Sequence, residues 1–128
     1  MVDLPEGPEV AIGCVSNMWS KMMHFKKAGH TEYGHTHTFD HMTLLARGSL
    51  RVTVEGVPTD FSAPHMIFIK AGKMHELVAL EDDSLAYCIH ALRDDEGDIL
   101  DPSMIPKGIN KDNVFTVATP LISNAVRI

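Results

Sequence analysis

Apolar and polar residues alternate in short runs along most of this chain. The clearest run is SLRVTVE, residues 49 to 55, in which every second side chain is apolar. A period of two is typical of a strand with one buried face. Further strand-like runs cover residues 21–27, 42–46, 66–70, 76–80, 85–92 and 114–118. Many short strands separated by Gly-containing or acidic turns predict an all-β sandwich or barrel.

The length predicts one domain. A chain of 128 residues suits a single hydrophobic core, and we expect that domain to cover residues 1–128. Residues 1–9 resemble an arm, and residues 20–92 hold the main strand pattern. Residues 94–128 predict an irregular tail that ends in a final strand at 114–118.

Charge and composition exclude several classes of partner. The net charge is −6 and the basic residues are scattered, which argues against nucleic acid or an anionic membrane as a partner. No apolar run approaches the roughly 20 residues of a membrane span, and the first residues do not resemble a signal peptide. Cys14 and Cys88 are far apart and form no CxxC motif. We therefore expect reduced cysteines and a cytoplasmic protein.

Four histidines carry the candidate chemistry: His35, His37, His41 and His75. Imidazole is the commonest protein ligand for transition metals. His35 and His37 would lie about 6.6 Å apart on one face of a strand. In a straight strand His41 would lie roughly 13 Å beyond His37, too far to share one ion. We therefore expect residues 38–40 to bend and His41 to begin the next strand.

The spacing of Gly29, His35, His37 and Gly48 resembles the first motif of the cupin family, G-x5-H-x-H-x3/4-E-x6-G. His41 stands where that motif usually has glutamate. The substitution matters electrostatically, because four neutral imidazoles leave a divalent ion with its full charge of +2. Such a site should be a strong Lewis acid that attracts anionic or enolate-like ligands.

Gly72 and His75 resemble part of the second cupin motif, G-x5-P-x-G-x2-H-x3-N. Three positions depart from it, since Pro64, Lys70 and Ala79 replace its first glycine, its proline and its asparagine. The resemblance covers about residues 20–92. It implies a small antiparallel double-sheet jelly-roll barrel that encloses a metal, and it also favours a homodimer.

The His-x-His-x3-His variant is similar to the tetra-histidine cupins, which include manganese, zinc and iron proteins. We therefore expect one divalent transition metal ion per chain, which could be Mn, Fe, Zn, Ni or Cu. Octahedral coordination by four histidines would leave two positions for a bidentate small molecule, or for a substrate and O₂. Tetrahedral zinc would fill all four positions and be structural.

Other residues are candidates for the walls of the site. If runs 76–80 and 85–92 form a hairpin with a two- or four-residue loop, His90 lies opposite His75 and could act as a catalytic acid or base. A three-residue loop would instead turn Tyr87 inward. Tyr33 and Phe39 are further candidates to line the pocket.

Three functions fit this pattern. The first is a metal-dependent oxidoreductase, a dioxygenase acting on a small diketone, enol, diol or carboxylate, with a pocket of about 300 Å³. A Lewis-acid isomerase, lyase or cyclase is a variant of it. The second is a non-catalytic module that binds or senses a small ligand through the metal, and the third is a structural protein with a closed zinc site.

Overall fold

A computed structural model describes residues 4–101 and 126–127, apart from the side chains of His35, Val126 and Arg127. The predicted strand at 114–118 lies outside these residues. Within them the chain forms strands and turns and no helix. The strands are β1 (Glu9–Val15), β2 (Met18–Phe25), β3 (Thr31–His35), β4 (His41–Arg47), β5 (Ser49–Val54), β6 (Val57–Ser62), β7 (His65–Ile69), β8 (His75–Ala79), β9 (Ser84–Ala91) and β10 (Val126–Arg127).

The described strands form two antiparallel sheets. Six strands make one sheet in the order β10-β1-β2-β9-β4-β7, and four make the other in the order β3-β8-β5-β6. The predicted all-β double-sheet fold is confirmed. Consecutive strands often lie in different sheets, as β8 and β9 do, so the conditional hairpin between them is wrong.

Strand alternation explains the core between the sheets. Along β2, Trp19, Met23 and Phe25 are buried, and along β5, Leu50 and Val52 are buried. These side chains belong to one cluster that contains residues from both sheets. Full burial of such a side chain stabilises the fold by about 1.5–3 kcal/mol. The core therefore fixes the separation of the two sheets and, with it, the position of the histidines at one end.

The histidine segment differs from the sequence prediction in one respect. Strand β3 ends at His35, so His37 lies in the loop that follows and does not share a strand face with His35. The pairing of β3 with β8 also shifts register between Glu32 and His35. The predicted bend at residues 38–40 is confirmed, and His41 begins β4 as expected.

Candidate metal centre

Three of the four candidate histidines converge. Each of His37, His41 and His75 offers a ring nitrogen that lies within 4.8 Å of the others'. The ring centroids are 5.1 Å apart for His37 and His41, 4.8 Å for His41 and His75, and 5.4 Å for His37 and His75. His41 and His75 are buried, with 5% and 4% of their surface exposed. These three side chains could hold a metal ion, whereas the side chain of His35 lies outside the described atoms.

Two loops hold this cluster in place. The loop that carries His37 is fastened to the turn before β8, because the backbone N–H of Gly72 donates to the carbonyl of His37 at 2.7 Å. A carboxylate oxygen of Asp40 accepts the N–H of Ala71, also at 2.7 Å. Asp40 thus orients the loop through the backbone.

The hydrogen bond of His75 fixes its tautomer. Its Nδ1 lies 3.1 Å from the carbonyl of Lys73, and a carbonyl can only accept. Nδ1 therefore carries the proton, which makes Nε2 the lone-pair nitrogen. A backbone carbonyl on the distal ring nitrogen is the usual way in which proteins prepare a histidine to bind a metal.

The histidines border a small cavity of about 20 Å³. That volume suits one water molecule or one ion. The other walls come from both sheets: Trp19, Lys21, Met23, Glu32, Thr43, Leu77 and Cys88. Neutral nitrogen donors converging on an ion-sized, mostly apolar cavity fit a divalent transition metal.

His90 approaches the same region from the six-stranded sheet. Its ring stacks on Trp19 at 4.4 Å and lies 4.2 Å from Phe39 and 6.5 Å from His37 between centroids. Nδ1 donates to the carbonyl of Ala91 at 2.6 Å, so Nε2 is an acceptor. Nε2 is buried and has no hydrogen-bond partner among the described residues. Burial lowers the pKa of His90, which favours this neutral tautomer.

The three aromatic residues predicted to line the pocket occupy three different places in the structure. Phe39 is buried and stacks on His37 with 4.9 Å between ring centroids. Tyr33 lines an outer groove, and its hydroxyl donates to the carbonyl of Pro5. Tyr87 alternates with the buried Cys88 and lies on the opposite face of β9. The suggestion that Tyr87 turns inward depended on the wrong hairpin.

The outer groove is much larger than the histidine cavity. Its volume is about 420 Å³, and Trp19, Lys21 and Glu32 line both spaces. The lining is mostly apolar and comes from residues 7–12, Trp19 and β3. This groove has the size expected for a small-molecule ligand and lies beside the histidine cavity.

The wall also contains a charged pair that the sequence pattern did not predict. Lys21 Nζ lies 3.0 Å from Glu32 Oε2, and each side chain is 19% exposed. A signal existed, because Lys21 occupies an inward position between Trp19 and Met23 in the β2 alternation. Burial raises the pKa of the neighbouring Cys88 thiol to about 12, with smaller opposing contributions from Lys21 and Glu32.

Comparisons with known proteins identify the fold. No family model matches the sequence, and no curated protein does. KdgF from Halomonas sp. is 25% identical, with a TM-score of 0.58 over 66% of this chain and 78% of KdgF. A cupin superfamily protein from Desulfitobacterium hafniense is 13% identical, with a TM-score of 0.58 over 72% and 84% of the two chains. An RmlC-like cupin from Shewanella frigidimarina is 19% identical, with a TM-score of 0.54 over 62% and 70%.

No helix in the described part of the chain is long and apolar enough to span a bilayer.

Proposed function

Because this chain has the cupin fold, we propose that it is a metal-dependent oxidoreductase of the dioxygenase type. Its substrate would be a small oxygenated molecule such as a diketone, an enol, a diol or a carboxylate. The ligands of one divalent transition metal ion would be His37, His41 and His75, with His35 as the fourth. The observation that carries this proposal is the convergence of three histidine nitrogens on a cavity of ionic size.

The metal, when bound, would supply Lewis acidity and positions where substrate oxygens can be held and polarised. The protein's own contribution is orientation and exclusion of water. Lys73 fixes the tautomer of His75, and Asp40 fastens the loop of His37 to the turn before β8. Met23 and Leu77 give the cavity apolar walls, which strengthen electrostatic interactions inside it.

His90 is our candidate for the catalytic base. Its Nε2 lone pair is buried, its ring centroid lies 6.5 Å from that of His37, and the contact with Ala91 keeps the proton on Nδ1. A substrate hydroxyl held at the metal could donate to Nε2. His90→Gln retains a polar side chain but removes the imidazole base, so turnover should fall about 10²- to 10⁴-fold. Metal content should not change, and loss of metal in this variant would instead make His90 a ligand.

The metal site is tested by elemental analysis of purified variants. His41→Ala and His75→Ala should lose most of the bound metal, because each removes one of the converging ligands. His65→Ala is the matched control, since His65 is an exposed histidine on β7. Circular dichroism would verify that all three variants retain the β fold. Unchanged metal content in both cavity variants would refute the site.

A second function is favoured by the size of the cavity. A space of about 20 Å³ leaves little room for a substrate beside an ion. The second function is therefore non-catalytic: either a closed structural metal site or a module that binds a ligand without turnover. X-ray absorption spectroscopy and O₂ uptake with diketones and catechols separate the two functions. Tetrahedral zinc without O₂ uptake would support the second, and an open-coordinate metal with uptake would support the first.

We also propose that the protein is a homodimer. Among the described strands β7 ends the six-stranded sheet, and its outward residues Met66 and Phe68 are 60% and 76% exposed. An apolar edge strand is normally covered, and a second copy is the simplest cover. Light scattering should give a dimer mass, and Phe68→Lys should shift it toward the monomer. A monomeric wild-type protein would contradict the proposal.

A cytoplasmic location completes the proposal. Cys14 and Cys88 are free and buried, which suits a reducing compartment. A disulfide found by mass spectrometry in protein isolated from its native cells would argue against it.

A further inference from the structure

The Lys21–Glu32 pair lies where the outer groove meets the histidine cavity. Lys21 belongs to β2 in the six-stranded sheet, and Glu32 belongs to β3 in the other sheet. Both side chains line both spaces. Their 3.0 Å contact therefore bridges the two sheets and forms part of the wall between groove and cavity.

Neither space serves a substrate alone. The cavity of about 20 Å³ holds the histidines but only an ion or a water molecule, whereas the groove of about 420 Å³ is roomy but holds none of them. A molecule that occupies the groove and places one polar end at the ion pair would lie next to the histidine cavity, because both charged side chains line it. Its body would lie against Val10, Ile12 and Trp19.

We propose that the groove binds a small carboxylic acid with an apolar body, whose carboxylate displaces Glu32 from Lys21. This inference rests on the proposed function, because it specifies the substrate class of the same metal site. Lys21 is then the residue that selects an anionic substrate.

Desolvation explains why a carboxylate is selected. Separating this ion pair leaves Lys21 only partly hydrated and without its carboxylate partner, which is unfavourable. A ligand that brings its own carboxylate restores a charge-assisted hydrogen bond to Lys21, whereas a neutral ligand does not. The apolar groove wall adds affinity for the hydrophobic body without selecting for charge.

Trp19 supplies a direct reporter of binding. It is the single tryptophan of the chain, and it lines both groove and cavity. Benzoate and its neutral analogue benzyl alcohol are titrated into metal-free protein, and Trp19 fluorescence is followed. Methyl NMR signals of Val10 and Ile12 verify the location. We expect saturable benzoate binding at the groove and at least about tenfold weaker binding of benzyl alcohol, the range of one hydrogen bond to a charged group.

Two variants should change benzoate affinity in opposite directions. Lys21→Met retains the aliphatic stem but removes the cation, and should weaken binding about tenfold or more. Glu32→Gln retains the shape but removes the competing carboxylate, and should tighten binding. Arg51→Met is the matched control, because Arg51 forms an exposed ion pair with Asp60 on the far strands of the same sheet as Glu32. It should leave the affinity unchanged.

The outcomes separate this inference from the metal proposal. Equal affinity of wild-type protein for benzoate and benzyl alcohol would overturn the inference even if neither variant folds. Weaker benzoate binding in both variants would also overturn it, because the pair would then be only structural. Metal content is measured independently on wild-type protein and on the His41 and His75 variants. Its absence would refute the metal site whatever benzoate does.

Discussion

Among single residues, Asp83 shows most clearly how contacts set a charge state. It sits in the turn before β9 with a φ of 59°, a left-handed conformation that aspartate and asparagine adopt more readily than most residues. Its carboxylate lies 2.6 Å from His24 Nε2 and accepts a hydrogen bond of 2.8 Å from Arg47. The hydrogen bonds from His24 and then Arg47 hold the pKa of Asp83 below its usual 3.8.

This shift predicts how Asp83 contributes to stability as pH changes. A carboxyl whose pKa is lower in the folded state stabilises the fold above its unfolded pKa, and the contribution disappears as pH falls through the folded pKa. Asp83→Asn retains the turn preference but removes the charge. Its unfolding free energy should therefore fall less than that of wild type as pH drops below about 4. The effect should be small, because the group is exposed to solvent.

Urea unfolding at pH 7 and at several acid values measures this difference. Asp95→Asn is the control, since Asp95 is exposed in the turn at residues 94–98. An identical acid dependence for wild type and Asp83→Asn would show that the contacts of Asp83 do not affect stability.

The sequence predicted some residues of the site because their placement is local. The bend at residues 38–40 followed from the reach of an extended chain, and it brings His41 back toward His37. Lys21 and Glu32 were missed because their contact joins two sheets, and no local pattern encodes which strands face each other. The prediction that Tyr87 faces inward depended on a pairing of β8 with β9, which the fold does not contain.

Among the structural elements, the turn between β4 and β5 depends on a close backbone approach. Gly48 has a φ of 81°, and a side chain there would lie 2.8 Å from both Cα and Cβ of Ser84. Ser84 is fully buried, and its hydroxyl is within hydrogen-bond distance of the backbone of Ser49. The glycine is therefore needed for both conformation and space.

Substitutions of Gly48 and Gly56 should therefore have unequal effects on stability. Gly56 has a similar φ of 80° but meets nothing within 4 Å. Gly56→Ala should lower the unfolding free energy by about 1–3 kcal/mol because of backbone strain. Gly48→Ala adds a clash with Ser84 and should cost about 1–3 kcal/mol more. Thermal or urea unfolding measures both, and equal costs would mean that Ser84 moves aside freely.

The strands with a clear alternation of apolar and polar residues were the ones that the sequence predicted accurately. The predicted boundaries of five strands agree with the structure to within about one residue: β4, β5, β7, β8 and β9. Strand β6 was missed because nearly all of VPTDFS is exposed, so it has no alternating apolar face. Strand β1 was also not predicted, for a different reason. Its alternation is weak because Ala11 and Gly13 on its second face are small residues.

At the scale of the molecule, the histidines join the two sheets. His41 begins β4 in the six-stranded sheet, and His75 begins β8 in the other. The order of strands in these sheets could not be predicted from periodicity, because alternation identifies a buried face without identifying its neighbour. Resemblance to the cupin motifs provided that missing information, and the two-sheet topology agrees with it.

A metal that bridges two sheets should stabilise the whole fold. A ligand that binds only the folded state adds a free energy that grows with its concentration, about 4 kcal/mol at a thousand times its Kd. Adding a divalent transition metal to chelator-treated wild-type protein should therefore raise the melting temperature by several degrees. His65→Ala should show the same increase, and His41→Ala should show almost none. A cavity variant that gained as much as wild type would mean that the ion binds elsewhere, because an ion at this site needs His41 to connect β4 with β8.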